Sequence, residues 1–246
     1  MTTEVDNPAE RLYRLLNAAL SQPSSNKPTS EVWAEVLNVE HDDLKLFMQE
    51  IIELYKLFDD VEKQLLQIEG VDKSLFVEPV SSLKRALPMR NLSINWESSR
   101  GYLREVDMRS LRHAAYELSK QPLPPKISDE QLAELSKDIT ELYEKVAAAP
   151  IPEVLKTLIL NQLASIQTAI HLYRVRGAIP LHEALVTSAG TLVTYWPLFE
   201  QYGEAEAVSG FKKLVQKLTV IIPVAADSST LIGSAIAAVK LLLPGG

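Results

Sequence analysis

Apolar side chains recur along this chain at steps of three and four, the spacing that lines one face of an α-helix. The longest run is Leu44, Phe47, Ile51, Leu54, Phe58, Val61, Leu65 and Ile68, ended by Gly70 as a C-cap, and it predicts one helix over 42–69 that needs a helical partner. A coiled-coil dimer seam or an intramolecular helical hairpin would each bury it. The hairpin is favoured, because other helices of this chain need partners and Phe47 and Phe58 suit a globular core better than a narrow seam. Upstream, Asn7 as N-cap, Pro8 at the first helical position and Glu10 open a helix with the stripe Leu12, Leu15, Leu16 and Ala19. A Ser/Asn/Pro loop over 23–28 ends it, and a short helix over Glu31–Val39 presents Trp33, Val36 and Leu37.

Residues 71–101 are the least regular. Pro79 and Pro88 bracket a short helix, and the alternation Leu92, Ile94, Trp96 predicts a brief extended segment. Leu103, Val106, Leu111, Ala114, Ala115 and Leu118 mark a helix over 103–120, stopped by the proline-rich spacer 121–125. Ser128 with Gln131 forms a capping box for a helix over 129–149, and Pro150-Ile-Pro152 turns the chain. The helix over 152–176 carries Leu155, Ile159, Leu163, Ile166, Ile170 and Tyr173 and is closed by Gly177, so 128–177 reads as an antiparallel hairpin. Another helix runs from near Pro180 towards Pro197. The expected architecture is all-α, a bundle of seven to ten helices built from long antiparallel hairpins with an apolar C-terminal helical section. It divides into 1–122, 128–200 and a tail over 201–246. No motif repeats at a fixed period, so a solenoid is not expected.

Composition narrows the chemistry. At 246 residues, 46% hydrophobic and 23% charged, the chain is long enough for a core without metal or disulfide staples. The absence of Cys excludes a disulfide framework, Cys-ligated zinc and a thiol nucleophile, and fits a reducing compartment. Charged residues within the first 20 leave no apolar signal-peptide core, so a cytoplasmic start is expected. A net charge of −7 makes nucleic-acid binding by the whole surface an unlikely partner class. There is no Walker loop, no G-x-G-x-x-G after a strand, no G-x-S-x-G elbow and no H-E-x-x-H. His41, His113, His171 and His182 lie far apart, so no metal site is expected. Glu50, Glu53, Asp59 and Asp60 fall on the long helix, where a solvated face is expected. No catalytic residue and no cofactor are assigned.

Two stretches depart from this background. Residues 84–113 hold seven basic against three acidic side chains, and Arg85, Arg100, Tyr102, Arg104 and Arg112, near Trp96, form a candidate anion or nucleic-acid patch. The competing reading is that these arginines pair with the acidic long helix. Arg174 and Arg176 beside Gly177 have a simpler explanation in the helix dipole, which favours cations at a C-terminus. The second stretch is 218–239, which holds Asp227 as its single charge. Its length would span a bilayer, yet Pro223 and the Asp227–Thr230 cap signal split it into two pieces of core-helix size. Leu231, Ile232, Ile236, Val239, Leu242 and Leu243 are the candidate interface or membrane residues.

Val32-Trp-Ala-Glu-Val-Leu37, Ile127-Ser-Asp-Glu-Gln-Leu-Ala-Glu-Leu135, and Tyr173-Arg-Val-Arg-Gly-Ala178 followed by Leu181-His-Glu-Ala-Leu185 resemble a widespread family of uncharacterised bacterial all-helical proteins. The likeness covers roughly 10–190, and the chain departs from it at Ile179-Pro180 and in the apolar tail. It implies a soluble bacterial helical protein, cytoplasmic, with no assigned activity; association with a defence or toxin–antitoxin locus is a further expectation from it. The functional expectation is a non-enzymatic interaction or assembly protein that binds itself or a protein partner. The alternatives are a membrane-active effector using 218–243 and a nucleotide or RNA binder using the 84–113 arginines.

Overall fold

The computed structural model describes residues 7–23, 26–40, 43–68, 72–87, 93–120, 126–222 and 230–243, and among them it is all helical, with twelve α-helices. The chain divides into two units, Met1–Leu123 with Arg174–Gly177, and Pro124–Tyr173 with Ala178–Gly246. The spacer 121–125, Gly70, Pro223 and the Asp227 cap signal lie outside the described residues.

The first unit holds α1 (Pro8–Leu20), α2 (Thr29–Leu37), α3 (Leu44–Gln67), α4 (Ser74–Leu83), α5 (Trp96–Arg100) and α6 (Glu105–Leu118). Asn7 caps α1 by accepting from the Glu10 N–H at 2.8 Å. Its amide also donates to the Ala115 carbonyl of α6 at 2.8 Å, so one buried side chain starts a helix and ties it to another. The seam of α3 is buried from Phe47 to Leu65, while Leu44 stays exposed. It packs on α1, α2, α4 and α6 of its own chain, so the partner is a set of four helices.

Two local expectations are corrected. Pro79 sits inside α4 and does not bracket it. The expected extended segment does not reach Trp96, which opens α5, whose N-cap Asn95 accepts from the Ser98 N–H at 3.0 Å; Pro88 and Leu92 lie outside the described residues. The chain at 94–96 meets 27–29 as a single bridge, Thr29 N donating to Ile94 O at 2.7 Å and Trp96 N to Lys27 O at 2.8 Å. Trp96 then buries its whole side chain edge-on to Trp33, with centroids 6.5 Å apart.

The second unit holds α7 (Asp129–Ala148), α8 (Glu153–Arg176) up to Tyr173, α9 (Ile179–Thr194), α10 (Trp196–Gln201), α11 (Glu206–Ile221) and α12 (Thr230–Leu242). The capping box of Ser128 and Gln131 is present, and Leu135, Ile139, Leu142 and Val146 face the core as their spacing predicts. Leu155, Ile159, Leu163 and Ile166 of α8 join them in one cluster, together with α9, α11 and Val239 of α12. Phe199 and Phe211 stack at 5.7 Å within it. At Gly210 α11 runs against α7 so closely that a Cβ would stand 2.8 Å from Leu142 Cδ1, so a larger residue there requires the Leu142 side chain to shift. Short α10 is, with α5 and α11, one of the helices the sequence reading did not set apart, so that twelve stand among the described residues where seven to ten were expected; Pro197 lies in its first turn where the pattern placed a stop, since a proline there has no partner to lose.

Candidate functional site

Each arginine of the 84–113 stretch that the structure describes has a partner inside the first unit. The Arg85 guanidinium lies over the Tyr102 ring at 4.5 Å, and that of Arg112 over Tyr13 at 6.0 Å. Arg104 makes a two-pronged bond to Asp107, at 2.6 and 3.0 Å, which holds its guanidinium above the usual basicity. Arg100 donates to the Leu20 carbonyl at 3.4 Å, and its buried Nε has no hydrogen-bond partner. Of the candidate patch, Arg85 and Tyr102 are in contact with each other. Trp96 is not available beside them as a stacking plane, because it is fully buried against Trp33. Nor do these arginines serve the acidic long helix: in this stretch it is Lys84 that bonds Asp59 of α3. Arg90 lies outside the described residues.

A second ionic group escaped the sequence reading. Glu50 of α3 is buried at 4% exposure, and Glu53 and Asp60 on the same helix receive Arg176 at 2.9 and 3.1 Å. This corrects the expected solvated face of Glu50 and Glu53. Burial pushes the Glu50 carboxyl up to about 7; the neighbouring Glu53 charge adds to that rise and Arg174 opposes it. The dipole explanation for Arg176 is also incomplete, since its side chain points to α3. The carbonyls at the end of α8 are met instead by buried Arg11 of α1, whose Nε donates to Val175 O at 3.2 Å and Nη2 to Arg176 O at 3.4 Å. Gly177 makes room for that guanidinium: its φ is +63°, and a Cβ would fall 2.7 Å from Arg11 Nη1. The signal was present in the sequence, because position 50 is three after Phe47 and four before Leu54, squarely on the apolar stripe.

In the second unit the tail residues are largely taken up by packing. Val239 is 1% exposed, while Ile232, Ile236, Leu242 and Leu243 are half-buried on a helix that packs on α9 and α11. Leu231 belongs to the first turn of α12, and its side chain lies outside the described residues. At 13 residues α12 is about 20 Å long, well short of the roughly 30 Å of a bilayer core. Among the described residues no helix is long and apolar enough to cross a membrane, and no cluster of His, Asp and Glu is placed to hold a metal ion.

What the tail does build is a groove of about 650 Å³ between α7, α11 and α12. Val220, Ile221, Val239 and Leu243 supply apolar wall, and Lys213, Lys217 and Lys240 supply cations. One wall is pinned, because Gln216 of α11 donates to the Leu243 carbonyl at 2.7 Å. Lys217 is neutralised by Glu134 and Asp138 of α7, at 2.7 and 2.6 Å. Val220 stands 83% exposed at the edge of the hollow.

Compared with family models, with curated proteins and with solved structures, the chain finds no match.

Proposed function

We propose that this protein is a non-enzymatic helical interaction protein whose second unit receives a helix from another protein in the groove of α7, α11 and α12. The observation that carries the reading is the groove itself, a hollow at the surface with an apolar wall from α11 and α12, which the Gln216–Leu243 hydrogen bond ties together, and an exposed valine at its edge. Covering apolar surface contributes about 25 cal/mol per Å², so a helix laying one stripe into such a hollow gains most of its affinity there. The bacterial cytoplasm implied by the family resemblance is the proposed setting. The test is fluorescence anisotropy of a labelled peptide helix with a leucine stripe at i, i+3, i+4 and i+7 and uncharged Gln flanks. Saturable binding that Val220→Glu abolishes is expected. Absence of binding, or equal binding by the variant, overturns the reading, and substrate turnover by the pure protein overturns its non-enzymatic part.

A second reading, attachment to a membrane surface through the tail, is favoured by Leu241, 81% exposed on the outer side of α12. Co-flotation of the full chain with phosphatidylglycerol vesicles, lost in Leu241→Glu, is its expected result. A chain that stays behind under all conditions disposes of it.

A further inference from the structure

Most lysines of the second unit are engaged. Lys137, Lys145, Lys156 and Lys217 each have a carboxylate oxygen within ion-pair reach, at 3.8, 2.7, 3.9 and 2.6 Å. Lys212 lies over the Trp196 ring at 5.0 Å. Lys213 and Lys240 differ: both are exposed, and neither has a carboxylate partner among the described residues. Both line the same groove, one from α11 and the other from α12, while the acid in its lining, Glu134, is taken by Lys217. In a chain with 32 acidic and 25 basic side chains, two cations left without partners at one apolar hollow form a charge pattern that is complementary to acids on an occupant.

We infer that the groove's occupant is an acidic amphipathic helix of a partner protein, with an apolar stripe flanked on both sides by Asp or Glu. The inference rests on the docking reading above and adds the partner's charge. Cations on two different helices call for carboxylates on two sides of the occupant. A helix with acids flanking its stripe has them there, whereas a fatty acid carries one carboxylate at one end. A lipid surface is flat and leaves a concave groove of about 650 Å³ unfilled. Charges at such a rim set partner choice and encounter rate more than total affinity, so the apolar stripe holds the helix and the lysines select it.

The test uses the full chain and three labelled peptides that share one leucine stripe and carry Glu, Gln or Lys flanks. The Glu peptide is expected to bind tightest and the Lys peptide weakest, with a spread of roughly tenfold that shrinks as salt rises. Lys213→Glu combined with Lys240→Glu is expected to invert the order, while Lys137→Glu on the exposed side of α7 leaves it unchanged. Both groove lysines are exposed, so the double variant keeps the fold, which its circular dichroism checks. Equal binding of the three peptides overturns the acidic partner and leaves the docking reading standing; no binding of any peptide overturns both. Vesicle flotation that depends on Lys213 and Lys240 without peptide binding assigns the lysines to lipid and overturns the inference. So does a dimer by light scattering that the double substitution splits, because the occupant is then a second copy.

Discussion

Arg176 in the first unit and Lys217 in the second each bridge two carboxylates on a neighbouring helix, but in opposite settings. Arg176 reaches Glu53 and Asp60 with side-chain exposures of 12%, 13% and 29%, whereas Lys217 reaches Glu134 and Asp138 with 29%, 64% and 40%. The geometry is similar and the physics is not. Water screens the lysine trio, so breaking it costs little. The arginine trio lies mostly out of water beside buried Glu50, where a charge left without its partner keeps much of its desolvation penalty. Composition does not separate the two groups; burial does.

The largest effect that can break this comparison is Arg176→Met. It strands Glu53 and Asp60 and is expected to destabilise the first unit by about 3 kcal/mol in urea unfolding. A loss below 1 kcal/mol would put the trio in the same class as its exposed counterpart. Next is Glu50→Gln. With a folded value of about 7 against the ordinary 4.5, the folded protein keeps a proton that the unfolded chain has released between those values. Stability from this position is therefore full below pH 4.5, falls as pH rises through 7 and stays low above it. Glu50→Gln is expected to stabilise by up to about 3 kcal/mol at pH 8 and by almost nothing at pH 4. A pH-independent effect in parallel unfolding series would refute the titration. The smallest effect is Lys217→Met, expected to change stability by less than about 1 kcal/mol, a change that added salt erases. A larger loss would show the exposed trio to be structural after all.

The same contrast explains what could be read from the chain. The stripes of α1, α3, α7 and α8, the Asn7 and Ser128 caps and the Gly177 stop are local, because a helix face and its ends involve residues within a few positions. Pro79, Pro197 and the Ile94–Trp96 alternation misled because a proline or a short apolar alternation is compatible with more than one local conformation, and packing chose among them. Of the candidate patch, the engagement of Arg104 by Asp107 is local, three positions apart on one helix turn, whereas Arg85 meets Tyr102 only through the packing of elements 17 positions apart.

By itself the sequence determined the helical class, most helix boundaries and the apolar face of each helix, since these depend on backbone propensity and periodicity over short range. Tertiary structure alone decided that Glu50 is buried, that Arg11 meets the last carbonyls of α8 while Arg176 reaches α3, and that Lys213 and Lys240 share one groove. The physical reason is that burial and pairing of charge depend on which distant helices meet. Residues as far apart as Glu53 and Arg176 acquire a common electrostatic environment only after the chain has excluded water between them.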